Sequence, residues 1–114
     1  MAICFDAIGE KYVTFLASEG MEQGAVCKLS ANDTVGGCGE NDVFCGVAAE
    51  VKNGCAAVVM GGYVELPYTG TAPAVGYALL AADGKGGVRT AASGGRSCLV
   101  VRVDTAEKKI GLFL

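Results

Sequence analysis

Eighteen of the 114 residues are glycine, and they cut the chain into short apolar runs rich in valine, alanine, tyrosine and phenylalanine. Short strands joined by tight turns accommodate that punctuation, and long helices do not. No stretch carries a sustained 3.6-residue apolar period with caps at both ends. The expected fold is all-β: a small β-barrel or sandwich of about seven to nine short antiparallel strands with tight glycine-rich turns.

The runs place the strands. Residues 12–17 (Tyr-Val-Thr-Phe-Leu-Ala) and 24–30 (Gly-Ala-Val-Cys-Lys-Leu-Ser) are β-prone, although Val26 and Leu29 fall out of phase in the second. Residues 31–41 are polar and glycine-rich, a loop with room for one short strand near Thr34 and Val35. The clearest signal is Asn53-Gly54 between the runs 43–51 and 55–60. That pair predicts a two-residue type I′ hairpin, whose central positions both need positive φ. Gly61-Gly62 then breaks the apolar run as a bulge or barrel corner would. A strand over 63–67 is expected to end at Pro67, or to lie at an edge there. Residues 68–75 read as a loop, and 77–81 as strand or helix. Asp83-Gly84 followed by Val88-Arg89-Thr90 favours a second hairpin. In 98–103 the alternation puts Leu99, Val101 and Val103 on one face. Residues 110–114 close the chain as a last strand. One domain over 1–114 is expected, with 1–41 as an N-terminal segment and 42–114 as the β core, and no internal repeat stands out.

Composition narrows function. Hydrophobic residues make up 52 % and charged residues 18 %, which opposes disorder. The net charge is −3, a poor match for a nucleic-acid backbone. No span approaches the roughly 18–20 unbroken apolar residues of a membrane helix. Histidine and tryptophan are both missing. Without histidine there is no Ser-His-Asp or Cys-His catalysis, and the commonest zinc ligand is gone. The expectation is a protein that is not an enzyme, with no catalytic, cofactor-binding or metal-ligating residues and no cofactor.

Six cysteines stand at positions 4, 27, 38, 45, 55 and 98. The first residues lack a basic region followed by a long apolar stretch, so the reduced thiols of a cytosolic protein are expected. Cys45, Cys55 and Cys98 lie in apolar runs and are expected to be buried. No pair has C-x-x-C spacing, which disfavours a four-cysteine zinc site.

The remaining motifs are weak. Gly84-Lys85-Gly86-Gly87 resembles a phosphate loop but lacks the hydroxyl residue after its lysine and reads as a hairpin turn. The same lysine, among glycines, lacks the neighbours of a biotin- or lipoate-bearing lysine. Glu40 and Asp42 flank Asn41 and invite an acid/base reading, but loops at strand starts commonly hold such residues for solubility. Asn32-Asp33 and Asn41-Asp42 lack the ligand spacing of a calcium loop.

The apolar excess says more. Val58-Val59-Met60 and Leu79-Leu80 put apolar groups on both faces of their strands, whereas a lone barrel should alternate. The second face must pack under a loop or against another subunit, which points to a homo-oligomer. Tyr12, Phe15 and Leu16 are the candidate contact residues, for a neighbour or for a larger assembly; the alternative is that the three belong to the same core.

From about Asp42 to Leu114 the chain resembles the small capsid decoration, or head-stabilising, proteins of tailed bacteriophages and prophages. The resemblance is carried by Asp42-Val43-Phe44-Cys45-Gly46-Val47-Ala48, then Gly62-Tyr63-Val64-Glu65-Leu66-Pro67, then the small-residue loop 69–72. Gly76-Tyr77-Ala78-Leu79, the Asp83-Gly84-Lys85 turn and the closing hairpin from Leu99 to Leu114 complete it. The first forty residues match no such pattern. The resemblance implies a small β-barrel that assembles as a homotrimer and sits on the outside of a phage head. There it would bind the major capsid protein and stabilise the shell without catalysis, as a virion component made in the bacterial cytoplasm. From the residues alone, the alternative is a small bacterial barrel that carries a ligand or cofactor.

Overall fold

The computed structural model describes residues 11–114. Its elements are all strands: β1 (Lys11–Ala17), β2 (Val26–Ala31), β3 (Thr34–Gly37), β4 (Gly46–Lys52), β5 (Cys55–Gly61), β6 (Tyr63–Thr69), β7 (Gly76–Ala82), β8 (Val88–Thr90), β9 (Arg96–Asp104) and β10 (Lys109–Phe113). The all-β expectation holds, with ten strands among the described residues where seven to nine were expected. The two shortest, β3 and β8, fall where a short strand near Thr34 and Val35 and a hairpin strand at Val88-Arg89-Thr90 were expected.

The strands close two barrels, not one. The first runs β1-β3-β2-β4-β5, and the second, read round the ring from β6, runs β6-β8-β7-β9-β10. Adding five to each strand number of the first gives the second, so the chain repeats one topology twice. The pairing senses repeat too. β1 pairs with β3 and β6 with β8 in parallel, and the other neighbours are antiparallel. A purely antiparallel reading therefore misses one pair in each barrel. In both, a strand hairpin folds back so that its second member lies beside the barrel's first strand.

The Asn53-Gly54 turn has the expected form, with φ of 54° and 76° at its two residues. The glycine break at 61–62 is where the chain leaves the first barrel for the second. Pro67 does not end β6, which continues to Thr69. The Tyr68 N–H donates to the Lys108 carbonyl at 3.0 Å. Strand alternation turns the Pro67 nitrogen the other way, where β8 pairs only from Tyr68 onward.

The alternation read at 99, 101 and 103 is also corrected. Cys98 and Val100 are the fully buried pair, at 1 % and 0 % exposure. β10 pairs Gly111 with Arg102 but Leu112 with Val100, so Val101 is an extra residue in β9. That bulge shifts the phase and turns Val103, not Val101, onto the core.

Two apolar clusters hold the molecule. Cys27, Val35, Ala56 and Val58 fill the first barrel, with Phe15, Ala17, Cys45, Val51 and Met60 packed against them. The larger cluster fills the second barrel with Leu66, Leu80, Val88, Val100, Ile110 and Leu112, and it takes in Val26, Phe44 and Val47 from the first half. The out-of-phase apolar residues of β2 are thereby explained. Val26 faces the second core while Cys27 faces the first. Val59 is likewise covered within the chain, paired with Val47 at the junction. At those positions a second barrel, rather than a second subunit, buries the other face. Leu79 remains 39 % exposed.

Candidate functional site

Two surfaces gather the side chains that the fold leaves to act: a polar junction between the barrels and apolar patches on their outer faces. The junction is built by residues 40–45, the segment between β3 and β4, which lies across the second barrel. Asn41 N–H donates to the Ala82 carbonyl and Ala82 N–H to the Asp42 carbonyl, both at 2.9 Å. Glu40 and Asp83 form an isolated antiparallel bridge. Val26 N–H donates to the Gly86 carbonyl at 3.1 Å. Phe44 plugs the second core at 1 % exposure, with the Arg96 guanidinium 5.7 Å from its ring centre.

The two carboxylates that flank Asn41 face different partners. Glu40 meets Arg89 of β8 at 2.8 Å. Asp42 meets Lys28 of β2 at 2.6 Å and accepts the Gly39 N–H at 2.8 Å. The Lys28 hydrogen bond, helped by that amide, holds the Asp42 carboxyl below its ordinary range. The same pairing raises Lys28. Each carboxylate thus ties one element to another, and they do not converge on one reaction centre.

The glycine-rich turn of residues 83–87 settles in a comparable way. Asp83 Oδ1 accepts the N–H groups of Lys85 at 2.7 Å and Gly87 at 3.1 Å. Its Oδ2 accepts the Thr69 hydroxyl at 2.5 Å. Amides that a phosphate loop would aim at its ligand are turned onto the protein's own carboxylate. Beside them is an open cleft of about 580 Å³, lined by Glu40, Thr69, Asp83, Lys85 and Arg89 among others.

Of the candidate contact residues, Tyr12 and Leu16 lie on the outer face of β1, each 55 % exposed. Phe15 points the other way and packs against the first core. β1 pairs with β5 through Phe15↔Ala56 and Val13↔Val58, both inward positions on β5, so the alternation leaves Tyr12, Thr14 and Leu16 outside. A second patch lies on the other barrel, where Val75 and Tyr77 are 71 % and 80 % exposed beside Leu79. Sequence reading marked Leu79, with Leu80, as an apolar group on a second strand face, but named neither Val75 nor Tyr77 as a contact. The available signal was the i, i+2 pair Tyr77 and Leu79, whose intervening Ala78 packs inward.

Among the described residues the free cysteines are Cys27, Cys38, Cys45, Cys55 and Cys98, and Cys4 lies outside them. Cys98 is buried as expected, but Cys45 and Cys55 are only half-buried, and Cys27 is fully buried instead. Cys45 precedes β4 and Cys55 opens β5, so both sit at barrel ends rather than mid-strand. The described residues contain no cluster of three or more His, Cys, Asp or Glu placed to hold a metal ion. No family model matches this chain, and no curated protein matches it either.

Proposed function

We propose that this protein is a structural component of a phage or prophage virion that binds the major capsid protein on the head exterior and stabilises the shell. The observation that carries the reading is the pair of outward apolar patches, Tyr12 with Leu16 and Val75 with Tyr77, on two barrels locked together by the 40–45 segment. A clamp between capsid subunits needs a stiff body with adhesive outer faces, and this arrangement supplies both. The family resemblance of residues 42–114 supplies the kind of partner. Three copies closing a ring would cover apolar surface at a gain of roughly 25 cal/mol per Å², and cyclic closure does so without open-ended growth. The protein is made in the bacterial cytoplasm and acts without catalysis, cofactor, nucleic acid or membrane. Multi-angle light scattering tests the assembly: three times the 11.5 kDa chain mass is expected. A monomer that also fails to trimerise on capsid would overturn the reading.

The cleft beside Asp83 and Arg89 favours one second reading, a small barrel that carries a polar ligand. Isothermal titration with small phosphorylated or carboxylated metabolites separates the two, since the capsid reading expects no heat.

A further inference from the structure

We propose that Cys27 and Cys45 are an oxidisable thiol pair, in which a hydroperoxide oxidises Cys45 and Cys27 then closes a disulfide between β2 and the segment leading into β4. The backbone brings the two together. Cys27 pairs with Gly46 in the β2–β4 register, and Cys45 N–H donates to the Cys27 carbonyl at 2.8 Å. Both side chains belong to the first core, Cys27 fully enclosed and Cys45 at its half-open margin. The Cys27 thiol has one proton and two acceptors within reach, the Gly46 carbonyl at 3.6 Å and the Cys45 sulfur. Gly46 lets this end of β4 lie tight against β5, because a Cβ there would collide with the Val59 carbonyl.

The surroundings sort the two thiols into different roles. The Cys27 hydrogen bond, with a smaller contribution from the Arg96 charge, holds Cys45 below the usual thiol range against the opposing effect of burial. Arg96 Nη1 donates to the Cys45 carbonyl at 3.4 Å, which fixes that charge nearby. Cys27 is pushed up by the same hydrogen bond and by burial. Cys38, the other thiol close by, is raised to about 11, chiefly by burial. Half-open Cys45 is the thiol that a hydroperoxide can reach, and fully enclosed Cys27 is the resolving one. In the first step the Cys45 thiolate attacks the peroxide. The O–O bond breaks, an S–O bond forms, and with one proton taken up the products are a sulfenic acid and an alcohol or water. In the second step the Cys27 sulfur displaces hydroxide from that sulfenic sulfur, and the Cys27 proton leaves with it as water. The sulfur pair is oxidised by two electrons and the peroxide is reduced by two.

The inference does not depend on the proposed virion role, and its test uses the full chain. The reduced protein is alkylated with limiting iodoacetamide near pH 7, and tandem mass spectrometry separates Cys45 from Cys38 on their shared tryptic peptide. Cys45 should react roughly tenfold or more faster than Cys38 or Cys98. A second sample, given one equivalent of hydrogen peroxide, should lose two hydrogens and yield a peptide cross-linked through Cys27 and Cys45. In Cys27→Ala the peroxide product at Cys45 should instead be trapped by dimedone. If that variant fails to fold, the two wild-type measurements decide. Equal alkylation rates, or peroxide products that bridge other cysteines or none, would overturn the proposal.

Discussion

Single residues at the junction and the hairpin explain why the backbone takes this path. Asn53 and Gly54 both occupy the left-handed region, which a β-branched side chain enters only with strain. Gly54→Val should cost about 1–2 kcal/mol. Chemical denaturation measures this, and an unchanged midpoint would mean that the hairpin does not constrain β4 and β5. Asp42 gives a pH signature. Its folded pKa is held below the ordinary 3.8, chiefly by Lys28, so its stabilising contribution is complete above that value. It is lost as pH falls through the lower folded value. Thermal melts from pH 6 down to pH 2.5 should show a shallower acid decline in Asp42→Asn than in the wild type. Parallel curves would show that the Lys28 contact carries no coupling.

Elements divide into those legible in the sequence and those set by packing. The Asn-Gly hairpin, the break at Gly61-Gly62 and the strands β1, β5 and β10 follow from turn chemistry and β-prone composition. The phase of β9 does not, because the bulge at Val101 is imposed by its pairing with β10. Nor does the double use of β2, since a residue's neighbours on two different cores leave no local trace. The candidate contact strand was half legible. Tyr12 and Leu16 share the outer face, but Phe15, one residue out of phase, serves the core. That division predicts how variants behave. Replacing Tyr12 and Leu16 together by glutamate should leave the melting temperature within a few degrees and shift the scattering mass from three chains toward one. Phe15→Ala should instead lower stability by about 3 kcal/mol or somewhat less, given its partial burial. If the folded glutamate pair keeps the three-chain mass, the outer face of β1 is not a contact.

At the scale of the whole molecule, one topology appears twice in sequences that share little beyond alternation. β1 reads Lys-Tyr-Val-Thr-Phe-Leu-Ala and β6 reads Tyr-Val-Glu-Leu-Pro-Tyr-Thr, so no repeat is visible before the pairing is known. Residues 11–37 hold three of the first barrel's five strands, while the resemblance to decoration proteins begins at Asp42. Removing residues 1–41 would leave β4 and β5 with unpaired edges, and exposed edges invite aggregation. The truncated chain should therefore be insoluble or strongly self-associating in sedimentation velocity, and a well-behaved truncated monomer would show that the second barrel needs no support from the first. Attachment to a phage head, the proposed role, is tested by co-sedimentation with assembled phage capsids. The protein should pellet with the capsids at a saturating, fixed ratio, in multiples of three, and the glutamate variant at Tyr12 and Leu16 should pellet less. Protein left wholly in the supernatant at saturating concentration would contradict it.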